Sequence, residues 1–169
     1  MEIKDREKLV AAFEHMVENV ADSVRNAEAA LEPTIEEMVH NAKVLARDLY
    51  ALTQEEAETL AATLKRDLHK ANQVLNREQR ELKDWFSFDL ELIEARFIDL
   101  VANAADKTWL DFRAFEEANR HLELYTSGEI CNPGAFRCDA CGEIVRLERT
   151  GPVPQCPTCG GDQFHRQTS

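Results

Sequence analysis

Residues 136–164 read FRCDACGEIVRLERTGPVPQCPTCGGDQF, two Cys-x-x-Cys pairs in a chain whose first 130 residues contain no cysteine. Cys138 and Cys141 form one pair, Cys156 and Cys159 the other, with 14 residues between the pairs. In such a turn the backbone curls until both sulfurs face one point. Gly142 and Gly160, each directly after the second cysteine of its pair, permit that curl. Two turns brought together place four thiolates at the corners of a tetrahedron, the arrangement that Zn(II) takes in structural sites. We therefore expect Cys138, Cys141, Cys156 and Cys159 to hold one zinc ion per chain as a structural cofactor. Iron in a rubredoxin-like centre and a metal-free redox dithiol are the alternatives, the latter set back because thioredoxin-type motifs stand alone beside a strand–helix pattern.

The surrounding tail explains why a fastener is needed. "CNPGAF" opens it with a Pro-Gly turn, "TGPVPQ" makes a second turn, and short strands are predicted around residues 136–137 and 143–147. About 30 residues with so few large apolar groups cannot fold by burial alone. Structural zinc contributes on the order of 10–16 kcal/mol of apparent binding energy, which becomes folding energy in such a segment. Four thiolates also fill every coordination position, which argues against Lewis-acid catalysis. Cys131 is left over, read as a free thiol at a turn, with a redox-sensing or substitute-ligand role as the sharper alternative.

Upstream, the only proline before residue 133 is Pro33 and the only glycine before residue 134 is Gly128. A long stretch so poor in breakers and rich in Ala, Leu, Glu, Lys, Arg and Gln predicts helix. Val10, Phe13, Val17, Val20, Val24, Ala27 and Leu31 alternate steps of three and four, the stripe of a helix packed along another. A second helix is predicted over residues 34–50, with Ile35, Met38, Ala42, Leu45 and Leu49 inward. Thr53 and Glu56 form a capping box, with Leu52 stapled onto Ala57. A third helix follows with Ala57, Ala61, Leu64, Leu68, Ala71, Leu75 and Leu82; with no glycine at the junction, a kinked continuation of the second helix is the alternative. Residues 84–125 are denser still in large apolar groups, from Phe88 to Trp109 and Phe115, with Ser87 as cap and Gly128 as the left-handed stop. The expected fold is mainly α: an elongated antiparallel bundle or coiled-coil hairpin over residues 1–130, then a small β zinc ribbon over 131–169.

The formal charge is −12, and Arg137, Arg146, Arg149 and Arg166 cancel Asp139, Glu143, Glu148 and Asp162 in the tail, so all of it lies on residues 1–130. An acidic body repels phosphate backbones and anionic lipid headgroups. Charges scattered through the N-terminal apolar positions exclude a signal peptide or membrane span there, and clustered cysteines exclude a distributed disulfide framework; a reducing cytoplasmic setting is expected.

The end of the chain resembles the bacterial YbeL-like family, helical proteins ending in a zinc ribbon and classed as a domain of unknown function. Tyr125, Ser127, Gly128, Glu129, Cys138, Cys141, Cys156, Pro157, Cys159, Gly160, Asp162, Gln163, Phe164 and Arg166 carry the resemblance. It implies zinc on the four cysteines and no reaction. The order of parts is also similar to rubrerythrin-like oxidoreductases, whose di-iron bundle needs two Glu-x-x-His motifs. Glu37 with His40 supplies one and no second exists, since His69 has Arg66 at the Glu position. Nucleic-acid or ribosome association through the four tail arginines, beside Phe136 and Phe164, is a further rival, opposed by the acidic neighbours. No nucleophile elbow, P-loop or His-Glu-x-x-His motif occurs. The expected role is a non-enzymatic interaction protein whose acidic helices contact proteins or a second copy.

Overall fold

The computed structural model describes residues 3–26, 34–78 and 124–167. Three helices, α1 (Ile3–Asn26), α2 (Ile35–Leu49) and α3 (Gln54–Glu78), pack pairwise around one apolar core. Ala12, Phe13, Met16, Val17, Val20, Ala21 and Val24 bury one stripe of α1. Ala57, Leu60, Ala61, Leu64 and Leu68 bury the facing stripe of α3. Lys8 bridges α1 to Glu56 at 3.2 Å, and Lys43 and Lys65 tie α2 to α3 through Glu58 and Glu36. Such half-exposed pairs set register more than they stabilise, at about 0–1 kcal/mol each.

Both interior helix starts are capped. Thr53 Oγ1 accepts from Glu56 N–H at 3.1 Å while Glu56 Oε2 accepts from Thr53 N–H at 2.8 Å, the expected box. A second box joins Thr34 and Glu37 at the start of α2. Between α2 and α3 the chain turns rather than continuing as a kinked helix. Ala51 takes a left-handed φ of 49° and Leu52 N–H reaches back to the Arg47 carbonyl at 2.9 Å, a helix stop made without glycine. Leu52 then enters the core.

The inward face of α2 differs from expectation. Leu45 and Leu49 are 50% and 64% exposed, while Val39 and Ala46 are buried with Ile35, Met38 and Ala42. At 100° per residue Leu45 lies about 80° round from Ile35 and Ala46 only about 20°, so the straight helix turns Ala46 inward and Leu45 to the edge. The apolar segment over residues 84–123, with Ala27, Leu31, Pro33 and Leu82, lies outside the described residues. The Ala71 and Leu75 side chains of α3 likewise lie outside the described ones.

The C-terminal part is a small antiparallel assembly. β1 (Leu124–Thr126), β6 (Gln163–Arg166), β3 (Gly134–Cys138) and β4 (Ile144–Leu147) form a sheet in that spatial order, and β2 (Ile130–Cys131) pairs β5 (Gly151–Pro152). Tyr125 and Gly128 therefore do not end a helix. Tyr125 is a fully buried strand residue, and Gly128, at φ 93°, turns β1 toward β2. β2 packs on α1 and α3 and inserts Ile130 into the helical core. No described helix is long and apolar enough to cross a membrane.

Candidate metal centre

The two Cys-x-x-Cys turns repeat one bonding pattern. Gly142 N–H donates to the Cys138 carbonyl at 2.9 Å, and Cys138 N–H to the Glu143 carbonyl at 2.8 Å. Five-residue spacing recurs in the second turn: Gly160 N–H to the Cys156 carbonyl at 2.8 Å, Cys156 N–H to that of Gly161 at 3.0 Å. Gly142 and Gly160 take φ of 77° and 72°, the left-handed conformation the curl demands. Asp139 N–H, bonded to the Gln163 carbonyl at 3.0 Å, ties the first turn to the strand leaving the second.

This brings the four sulfurs together. Cys138 and Cys159 are 3.6 Å apart, Cys141 and Cys156 3.5 Å, and all four lie within 4.8 Å of one another. These separations far exceed a disulfide bond, about 2.05 Å. A tetrahedral site with metal–sulfur bonds of about 2.3 Å has sulfur–sulfur edges of about 3.8 Å, so the cluster has the size that zinc requires. A Cβ at Gly161 would sit 3.1 Å from Cys138 Sγ and 3.2 Å from Cys159 Sγ, so the chain leaves room there for sulfur alone. The four cysteines fit the ion, and bound zinc would supply cross-linking between the two turns.

Cys138 and Cys156 are buried, Cys141 and Cys159 exposed, placing the cluster at the rim of the ribbon. The Cys159 amide, opposed by desolvation and joined by the Thr158 amide, lowers the Cys156 thiol to about 7. At Cys141 the Glu143 amide acts downward, but thiol–thiol bonding led by Cys159, with desolvation, pushes it up to about 12. Phe136 and Phe164 are fully buried in the same cluster as Cys138 and Cys156, and Phe164 lies opposite Cys138 in the β3–β6 ladder.

Cys131 is not at a turn. It lies in β2, fully buried, opposite Gly151, and outside the four-sulfur group. Burial first, then the Asp67 carboxylate, holds its thiol well above the usual range. Glu37 spends its carboxylate on the Thr34 cap and His40 is exposed. Among the described residues, the four cysteines are the only close group of three or more metal-ligating side chains.

Sequence reasoning missed a second constellation. Asp67 on α3 is completely buried, and Oδ1 accepts from Tyr125 Oη at 2.7 Å and Arg166 Nη2 at 2.9 Å. Its Oδ2 accepts from Asn132 N and Nδ2 at 3.1 and 2.9 Å. Arg166 also donates to the Pro133 and Asn132 carbonyls and lies 4.7 Å from the Phe136 ring centroid. Burial works most strongly against the guanidinium charge, but Asp67, Tyr125 and Cys131 together outweigh it, so Arg166 stays charged. Burial and then Asp67 raise Tyr125 well above the ordinary phenol range. Arg66 stacks 4.6 Å over the Tyr125 ring and meets Glu129 at 2.5 Å. Arg166 thus leaves the proposed basic patch, whereas Arg137, Arg146 and Arg149 are exposed. The available signal was alternation in Gln163–Arg166, which puts Arg166 on the same face as Phe164.

Comparison with known proteins reaches beyond the ribbon. "Uncharacterized protein YbeL" of Escherichia coli K12 is 26% identical over 161 residues, covering 95% of this chain and 96% of the relative. The proteins of the same name from strains O6:H1 and O157:H7 align to the same extent. No solved structure matches. The family described as "Zinc-ribbon containing domain" matches residues 22–168, most of the helical part as well as the ribbon. Since that match takes in the thiol cluster together with α2 and α3, the chain belongs to the zinc-ribbon containing domain family.

Proposed function

We propose that this protein is a non-enzymatic interaction protein, in which an acidic helical bundle contacts proteins or a second copy and structural zinc, one ion per chain, staples the ribbon docked on it. The observation that carries the reading is the pair Leu45 and Leu49 on α2, one helical turn apart and 50% and 64% exposed beside a well-filled core. Apolar side chains left out at i, i+4 spacing suit another helix laid along that edge. The closed thiolate set supports the remainder, since it leaves no coordination position for a substrate. The expected setting is the cytoplasm, where clustered thiols remain reduced.

The test places a photo-crosslinking residue at Leu49 in the zinc-loaded full-length chain, alongside sedimentation velocity. The expected result is a crosslinked protein adduct or self-dimer that Leu45→Glu abolishes. A chain that sediments as a monomer and yields no Leu45-dependent adduct in native cells would remove the interaction reading.

A further inference from the structure

Asp67 is addressed by three separate pieces of the ribbon. Tyr125 comes from β1, Asn132 from the β2–β3 connection and Arg166 from β6. These pieces are far apart in the chain from Asp67, by 58, 65 and 99 residues, so only a folded ribbon presents them together. The register that gathers them also gathers the thiols. In the β3–β6 ladder Cys138 lies opposite Phe164 and Phe136 opposite Arg166, and Phe164 in turn faces Tyr125 of β1. β6 starts four residues after Cys159, and the Asp139–Gln163 bond fixes where it starts. Closing the two turns therefore sets the position of Arg166, and seating Arg166 on Asp67 holds the strand that positions Cys138.

From this we infer that Asp67, a residue of α3 outside the thiol cluster, is a positioning residue for the metal site: the helical body raises the ribbon's affinity for its ion through the Asp67–Arg166–Tyr125–Asn132 junction. The inference rests on the reading of the four cysteines as a zinc site. Its physical basis is reciprocity: if metal binding favours docking on α3, docking favours metal binding by the same factor. In the undocked state the Asp67 carboxylate is free to hydrate. In the docked state it accepts four hydrogen bonds from the ribbon. A buried charge network of this kind holds one arrangement firmly because any half-made version leaves a charge uncompensated.

The experiment measures zinc affinity of the full-length chain by competition with a chromophoric chelator. Asp67→Asn should weaken zinc binding on the order of ten- to a hundred-fold while one equivalent still binds at saturation. Tyr125→Phe, which removes one donor and strands no charge, should weaken it roughly five-fold. Val39→Ala, a core truncation on α2, serves as the control for general destabilisation and should stay within about two-fold of the parent. Helical circular dichroism is read on every variant. Tyr125→Phe covers the case in which Asp67→Asn loses its helices. Zinc held as tightly by folded Asp67→Asn or Tyr125→Phe as by the parent would overturn the coupling, as would an equal loss in Val39→Ala. A parent chain that takes up no zinc would instead remove the underlying metal-site reading.

Discussion

Phe13 on α1 and Phe136 on β3 are both completely buried, but what surrounds them differs in kind. Phe13 is one of nineteen buried apolar residues, all supplied by the helices except Ile130 and Leu52 of the α2–α3 turn. Phe136 has seven companions in its cluster, three of them cysteines, and an arginine guanidinium over its ring. The helical core is held by apolar area, which is forgiving of any one contact. The ribbon is held by a few strong, directional groups, the four thiols and the Asp67 junction, and each is needed because little area stands behind it. The two regions should respond oppositely to metal removal and to loss of apolar volume.

The largest effect expected is from Cys138→Ser. Losing one of four ligands should cost several kcal/mol of metal-derived stability, of the order that a small ribbon depends on. Zinc content should fall below one per chain and the strands should lose amide protection, while the helical circular dichroism persists. A ribbon equally protected without that thiol would erase the contrast. Phe13→Ala is the converse, at roughly 3–5 kcal/mol. It should lower the thermal midpoint of the helices and leave zinc stoichiometry unchanged.

Gly161→Ala sharpens the comparison inside the ribbon. Its added Cβ meets Cys138 Sγ and Cys159 Sγ at 3.1 and 3.2 Å, so sulfur must give way, at roughly 1–3 kcal/mol. Chelator competition should show weaker zinc binding with unaltered helices. The smallest effect belongs to Thr53→Ala, about 1 kcal/mol from the lost cap of α3. The other arm of the same box, the Glu56 carboxylate, carries a pH signature. The Thr53 amide holds the Glu56 carboxyl below its usual range, countered by desolvation and assisted by Lys8. A depressed carboxyl stabilises above its unfolded pKa and loses that contribution as pH falls through the folded value. Urea unfolding should therefore show the gap between Glu56→Gln and parent narrowing on acidification below the ordinary carboxylate range.

Much of this architecture was legible because it follows local rules. Cys-x-x-Cys-Gly repeated at a 14-residue interval specified the cluster, and Thr53 with Glu56 specified a helix start. The ends of α2 lay within a residue of expectation, since Thr34 and Tyr50 flank it as caps. What escaped was settled by partners distant in sequence. Leu45 and Ala46 are adjacent, and only the crossing of a neighbouring helix decides which is buried. Arg166 read as a surface cation because its counter-charge is 99 residues upstream. Gly128 suits a helix stop and a strand turn equally, and the pairing of Tyr125 with Phe164 decides for the turn.

Hydrogen exchange on the intact chain, stripped of metal and then given one equivalent of zinc, tests the central claim most directly. The account predicts that amides of β1, β3, β4 and β6 exchange rapidly without metal and regain protection with zinc, while α1, α2 and α3 remain protected throughout. Strands equally protected in both states, or helices that lose protection together with the ribbon, would contradict it.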